Sequence, residues 1–261
     1  MCWPELLFRS ARSRSTRVVG KDTRKLLDKI YADAGSPHSD EATIDAPHSG
    51  VITRIDHEAL VRVAEAGDFV LELRPALGEF VPAGATLFKV TGASSRVDSK
   101  AALGSIELGL KRTLEQDMAY GLRLLVDIAE RSLSDGPFQD PPTAVQAIDR
   151  LHDCLRQFAP RPFPDGQYRD RAGKVRLVTP FMTWDDYVHL AFDEIRLAGA
   201  ASPQITRRLR AALEDLLTVA PFGRKRPLRE QLDLLQSGIR GSISDAADRI
   251  HSSQSDASGL G

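Results

Sequence analysis

Eight polar residues between positions 116 and 194 have types and spacings that suit chemistry: Gln116, Asp117, Tyr120, Arg123, Asp127, His152, Asp193 and Glu194. At about 100° per residue, Gln116, Tyr120, Arg123 and Asp127 fall with Arg112 and Glu130 in one polar stripe. The simplest reading is a solvated helix face with i,i+3 and i,i+4 pairs. The alternative is a polar seam against a partner subunit. Ile106, Leu110, Leu114, Gly121, Leu125, Ile128 and Ala129 form the opposite, apolar arc. Asp117 breaks this pattern. It falls beside Leu110, Leu124 and Ile128, and Gly121 one turn on leaves room for a partner. Glu194, next to Asp193, lies between Tyr187, Leu190 and Ala198, and His152 sits between Val145 and Ile148. A carboxylate in apolar surroundings must be paired or protonated. Two chemistries are therefore open. One is a structural ion pair or buried hydrogen-bond network. The other is a ligand or proton site, with Asp117, Asp127 or Glu194 as acid or base.

The elements that carry these residues are helical. A long helix is expected from about Ser105 to Leu133. Asp140 with Pro141 and Pro142 starts the next, which places Val145, Ile148, Leu151, Leu155 and Phe158 on one side. The run QYRDRAGKVRLVTP reads as a hairpin turning at Gly173. Thr183 and Asp186 form a capping-box-like start for a third helix. Ser202-Pro203 opens a fourth and Pro227 a fifth. The tail from about Gly241 is small and polar, which reads as disordered.

Upstream the period changes from helical to alternating. In DFVLELRP, Phe69, Leu71 and Leu73 face one way, and Val70, Glu72 and Arg74 the other. Gly78 and Gly84 mark turns, Pro82 breaks a strand, and DHEALVRVAEAG reads as a short helix. The predicted fold class is α+β: a small antiparallel β module, barrel-sandwich-hybrid-like, followed by a mainly α-helical domain with one β-hairpin. The predicted divisions are a basic arm and linker (1–42), the β module (43–91), a linker (92–104), the helical domain (105–240) and a disordered tail (241–261).

Whole-chain totals exclude some functions. The chain has 261 residues, with 35 Lys and Arg against 36 Asp and Glu, so there is no global attraction for nucleic acid. The basic patches at Arg207, Arg208 and Arg210 and at Arg224, Lys225 and Arg226 lack interleaved aromatics, which also disfavours nucleic acid. No run reaches the ~18 apolar residues of a membrane helix. Cys2 and Cys154 match no metal spacing, and His152 and Cys154 lie on different helix faces, so no metal site is expected. There is no G-x-S-x-G, H-E-x-x-H, Walker or dinucleotide motif.

The stretches APHSGVI and GEFVPAGATLFKV resemble strands of biotinyl and lipoyl carrier domains. Carriage needs an exposed lysine on a hairpin. The module offers only Lys89, inside its last strand, so no cofactor is expected. The runs RTLEQDMAYGLRLLVDIAERSLSDGPFQDPPTAVQAIDRLHDCL, WDDYVHLAFDEIR and RRLRAALEDLLTVAP resemble a bacterial family of predicted integral membrane proteins, domain of unknown function twenty-two fifty-four, over about Ile30 to Gln236. The resemblance implies membrane helices preceding this region and supplies no activity. The loop reads SDGPFQDPPTA where an Asn-Asp-Pro-containing loop is common in that family.

The expected function is a non-enzymatic soluble region of a membrane protein, serving assembly, sensing or gating. The alternative is an enzyme using buried carboxylates of the helical domain. Eight basic residues between Arg9 and Lys29 face three acidic ones from Glu5 to Asp28. This asymmetry suits a juxtamembrane arm, places the soluble portion in the cytoplasm by the positive-inside argument, and makes the membrane a partner. A homo-oligomer is a further expected partnership.

Overall fold

The computed structural model describes residues 18–20, 22, 23, 25, 26, 29, 30, 42–92, 97–134 and 139–259. The chain divides into two units, Met1–Asp40 and Glu41–Gly261. In the first, the described residues between 18 and 30 are helical, and Val18, Val19, Leu26 and Ile30 are exposed. The remainder of the expected basic arm lies outside the described residues.

In the second unit, alternation with period two builds the strands. β1 (Thr43–Asp45), β2 (Gly50–Ile55), β3 (Phe69–Leu73), β4 (Phe80–Val81) and β5 (Thr86–Gly92) come from the predicted module. Phe69, Leu71 and Leu73 are buried along β3, while Val70 and Glu72 are not. Helix α1 (His57–Gly67) starts where Asp56 accepts the Ala59 N–H. It stops at Asp68, which is left-handed at φ 54. Lys89 lies within β5, opposite Thr43 on one side and Glu72 on the other, and not at a hairpin tip.

The module recruits strands from the predicted helical domain. A three-stranded sheet runs β4-β2-β6, with β6 (Ile106–Gly109) antiparallel to β2. A five-stranded sheet runs β1-β5-β3-β8-β7. Its β7 (Gln167–Arg169) and β8 (Val175–Val178) are the predicted hairpin, with Gly173 at φ 82 in the turn. That hairpin was expected within the helical domain. Instead β8 joins β3 in parallel, so the sheet is mixed and Leu177 belongs to the β core. The segment expected as a linker also holds a short helix, α2 (Ser99–Gly104), capped by Asp98.

The helix expected from Ser105 to Leu133 is corrected most. Its first part is β6, and helix α3 covers only Met118–Leu133. Two forces divide it. Residues 106–109 gain sheet hydrogen bonds from β2, and Asp117 caps the helix by accepting the Tyr120 N–H. A helical wheel drawn through residue 105 therefore has the wrong phase. Leu110 is 74% exposed, Leu114 64% and Ile128 43%. The buried face is Leu122, Val126, Ala129 and Leu133.

The remaining helices are α4 (Pro141–Phe158), α5 (Trp184–Ala198), α6 (Pro203–Val219), α7 (Lys225–Ser242) and α8 (Ala246–Ser252). Thr183 and Asp186 make the reciprocal capping box of α5. Helix α7 starts two residues before Pro227, from a 3-10 turn at Phe222–Arg224. The helical core runs through Leu122, Ile148, Leu155, Phe192, Leu209 and Leu216. The tail expected to be disordered is instead ordered to Gly259. Asp245 caps α8, the Thr206 hydroxyl donates to Ser252 O at 3.2 Å, and Gly259 is packed on Val145. A polar composition obscured this, because most of the tail's contacts are polar, through its backbone and through His251 and Ser253.

An ionic clasp joins the hairpin to the end of α1. Asp68 accepts from Lys174 Nζ at 2.6 Å and from Arg176 at 2.8 Å, and Arg176 Nε donates to Asp170 at 2.7 Å. The bond from Lys174, then that from Arg176, lowers the Asp68 pKa to about 2. The bond from Arg176 likewise lowers that of Asp170. A depressed folded pKa gives stability that is complete above the ordinary carboxylate range, about pH 4, and is lost as pH falls toward 2. The urea midpoint should drop across that window, and Arg176→Gln should flatten the drop. An unchanged acid slope in the variant would show the clasp to be inert.

Candidate functional site

The sequence-predicted residues occupy three neighbourhoods. The first is the joint between the sheets and α3. Asp117 is 5% exposed. It accepts from Arg112 Nε at 2.8 Å and from Arg112 NH2 at 3.0 Å, a bidentate pair, besides capping Tyr120 N at 2.9 Å. Arg112 also lies 5.4 Å from the centroid of the Tyr120 ring. Gly78, from the turn after β3, closes over the pair. A β-carbon there would meet Arg112 Nε at 2.5 Å and Asp117 Oδ2 closer still, and its φ of +82 is one that glycine favours. Gln116 holds the neighbouring strand: Ile55 N–H donates to its Oε1 at 3.0 Å, and its Nε2 donates to Ile55 O at 3.4 Å. Asp117 is thus buried and paired, with no bond to a side chain or N–H of another strand or helix among the described residues. The partner comes from the loop just before the helix, and Leu110 and Ile128 do not enclose it.

The second neighbourhood is the contact of α3 with α5. Arg123 faces three carboxylates: Asp127 at 2.7 Å, Glu130 at 3.2 Å, and Glu194 across the interface. Arg131 stands 4.0 Å from Asp127. Partial burial, followed by hydrogen bonding to Glu194, raises the pKa of Glu130. Burial works against the Arg123 charge, but the bonds to Glu194 and Asp127 outweigh it and raise its pKa.

The third comprises two seams deeper in the bundle. Between α4 and α6, Arg208 donates to His152 Nδ1 at 3.1 Å and to Asp149 at 2.7 Å. Arginine cannot accept, so His152 carries its proton on Nε2 and donates it to Asp215 at 2.7 Å. Burial opposes the Asp215 charge, yet the bonds from His152 and Arg156 keep its pKa lowered. Between α5 and α7, Asp193 accepts from the fully buried Gln231 at 2.6 Å, beside His189 and Arg196.

Arg123, Asp127 and Glu194 thus meet, as do Asp117 and Tyr120 through Arg112. His152 and Asp193 each stand in a separate seam. Among the described residues no three His, Cys, Asp or Glu side chains are grouped to hold a metal ion.

A cleft of about 930 Å³ lies elsewhere among the described residues. It opens between the N-terminal part of α1, the tip of the β7–β8 hairpin and the loop before α3. Of the eight candidates only Gln116 lines it. His57 and Tyr168 stack in its wall, with ring centroids 4.2 Å apart and planes 18° from parallel. Burial lowers the pKa of His57, against a smaller opposing effect from Asp56. Sequence reading missed this cleft because its walls come from segments about fifty residues apart, with no motif spacing between them.

Two outcomes follow from this geometry. Asp117→Asn keeps the cap and loses the charged pair, whereas Asp117→Ala loses both. Chemical denaturation should show Asn costing about 1–2 kcal/mol, since Arg112 is partly open to water, and Ala about 1 kcal/mol more for the cap. Equal stability of all three proteins would remove the joint's structural role. Glu130 behaves oppositely to the acid clasp. Its raised folded pKa means that its contribution is complete below its unfolded pKa and is lost as pH rises through the folded one. Glu130→Gln should therefore stabilise at pH 7 by up to about 1 kcal/mol, with the gain disappearing in acid. A thermal melt in which the variant is less stable at pH 7 would contradict that sign.

Similarity to known proteins agrees with the sequence resemblance. Residues 9–215 match the family model described as "Predicted membrane protein (DUF2254)". "Uncharacterized protein Rv1290c" of Mycobacterium tuberculosis and "Uncharacterized protein Mb1321c" of Mycobacterium bovis are each 30% identical over 247 residues, covering 87% of this chain and 47% of theirs. The chain spans about half the length of these curated relatives. No solved structure matches it. With most of its length inside the family model, the chain belongs to the DUF2254 family of predicted membrane proteins.

Proposed function

We propose that this chain is a non-enzymatic region of its membrane protein, on the cytoplasmic side, serving assembly, sensing or gating. The observation that carries this reading is how the polar candidates are used. Asp117, Arg123, Asp127, His152, Asp193 and Glu194 are each engaged by neighbouring side chains at a joint between elements. An acid or base catalyst must reach a substrate atom from an open cleft. The only one of the eight candidates at the large cleft is Gln116, and its amide is already bonded to Ile55.

The basic sequence between Arg9 and Lys29 supports the cytoplasmic side and an anionic leaflet as a partner. Among the described residues no helix is long and apolar enough to cross a membrane. Contact would therefore be made by the arm, or by a part of the protein outside the described residues. Exposed Leu110, Leu114, Met118 and Ile128 support self-association as a homo-oligomer.

The reading predicts binding to anionic vesicles at low salt and release at high salt, with about 1 kcal/mol per basic residue near the surface. Co-sedimentation of the full chain measures this. Replacing Arg12, Arg14 and Arg17 by Glu should shift the partition toward solution. Equal partition onto neutral and anionic vesicles would defeat the proposal.

A further inference from the structure

The cleft beside His57 has a charge pattern that the bonds within the protein do not use up. Several wall groups are engaged. Arg62 lies 3.8 Å from Glu58, Arg169 donates to Gln167, Asp56 caps α1, and Asp170 holds Arg176. Four charges remain. Arg54 at the end of β2 and Arg171 in the hairpin turn have no acidic partner among the described residues, and Glu65 on α1 and Glu115 before α3 have no basic one. His57 is half-buried and has no hydrogen bond to either ring nitrogen among the described residues. Burial favours its neutral form, which presents one donor and one acceptor. The Tyr168 hydroxyl is likewise without a partner among the described residues.

Such walls discriminate by charge. A simple anion would meet Arg54 and Arg171 but also the two glutamates, and a simple cation would meet the reverse. A molecule carrying both signs answers all four. The stacked ring pair adds a polarisable surface for a planar group. The volume of about 930 Å³ is at the upper end of the range for small-molecule sites, roughly 300–1,000 Å³.

We propose that this cleft is a binding site for a small zwitterion with a planar body. Arg54 and Arg171 answer its carboxylate, Glu65 and Glu115 its ammonium, and the His57–Tyr168 stack its ring. A free aromatic amino acid and a short peptide with both termini charged share this chemistry. The site stands apart from the membrane reading, because its walls lie entirely within residues 54–171.

The test uses the full chain and four probes: L-tryptophan, the dipeptide tryptophyl-glycine, tryptamine without the carboxylate, and indole-3-propionate without the ammonium. Ring signals of His57 and Tyr168 are followed by NMR, and affinities by calorimetry. At least one zwitterion should shift both ring signals and bind about tenfold or more tighter than either single-charge analogue. The tighter of the two zwitterions identifies the source. Arg54→Gln and Glu115→Gln, both at exposed positions, should each weaken it about tenfold without altering the melting temperature. Tryptamine affinity should survive Arg54→Gln, and indole-3-propionate affinity should survive Glu115→Gln. The proposal is overturned if no probe shifts the ring signals up to about 1 mM, if a single-charge analogue binds as tightly as the zwitterions, or if both variants bind them unchanged.

Discussion

Asp117 is the interaction on which the arrangement of the two halves depends. One carboxylate ends the preceding loop, starts α3 and locks Arg112 against the turn at Gly78. Gln116, one residue earlier, grips the backbone of β2 through both its amide atoms. The start of α3 is thereby tied to the sheets at the same point where its helical hydrogen bonding begins. If the cap moved by one residue, α3 would turn by about 100°. The face of Leu122, Val126 and Ala129 would then leave the core. Burial makes the dependence sharp: a carboxylate that is 5% exposed cannot change partners with water as a surface cap can.

The same economy governs the other polar residues. Arg123, Arg208 and Gln231 each lie between two packed helices, and each holds groups on both sides or along the seam. Apolar packing is non-directional and leaves neighbouring helices free to slide. A hydrogen-bonded pair across the contact admits one register. His152 illustrates the constraint well, because Arg208 can only donate, and this makes Nδ1 the acceptor and Nε2 the donor to Asp215. The seams do for helix register what the sheet hydrogen bonds do for the strands.

Much of this was legible in the residues. Thr183 with Asp186, Asp140 before two prolines, Ser202 before Pro203 and the turn at Gly173 all act locally, and each lies where its chemistry indicated. The alternating burial of β3 was equally plain. What failed was non-local. Residues 106–109 contain apolar positions that fit a helix as well as a strand, and only β2, more than fifty residues earlier, decides between them. Burial of Asp117 was thus inferred from a wheel of the wrong phase. Its burial instead comes from Arg112, the Gly78 turn and the start of α3. The tail misled by composition: its contacts with Thr206, Arg207 and Gln236 are polar, made by its backbone and by its own His251 and Ser253.

The cleft follows from the least predictable feature of the fold, the parallel pairing of β8 with β3 across about a hundred residues. That pairing brings the hairpin alongside α1 and stacks Tyr168 on His57. The Asp68–Lys174–Arg176 clasp then ties the strand end of the hairpin to the end of α1. One wall of the cleft is therefore held by the sheet, and the other carries Glu115 on the loop that also supplies Gln116 and Asp117. A group bound across these walls would contact the hairpin, α1 and the approach to α3 together. Helix α3 in turn packs on both α4 and α5. The loop that carries Glu115 continues into Gln116 and Asp117, and their bonds to Ile55 and Arg112 set where α3 begins.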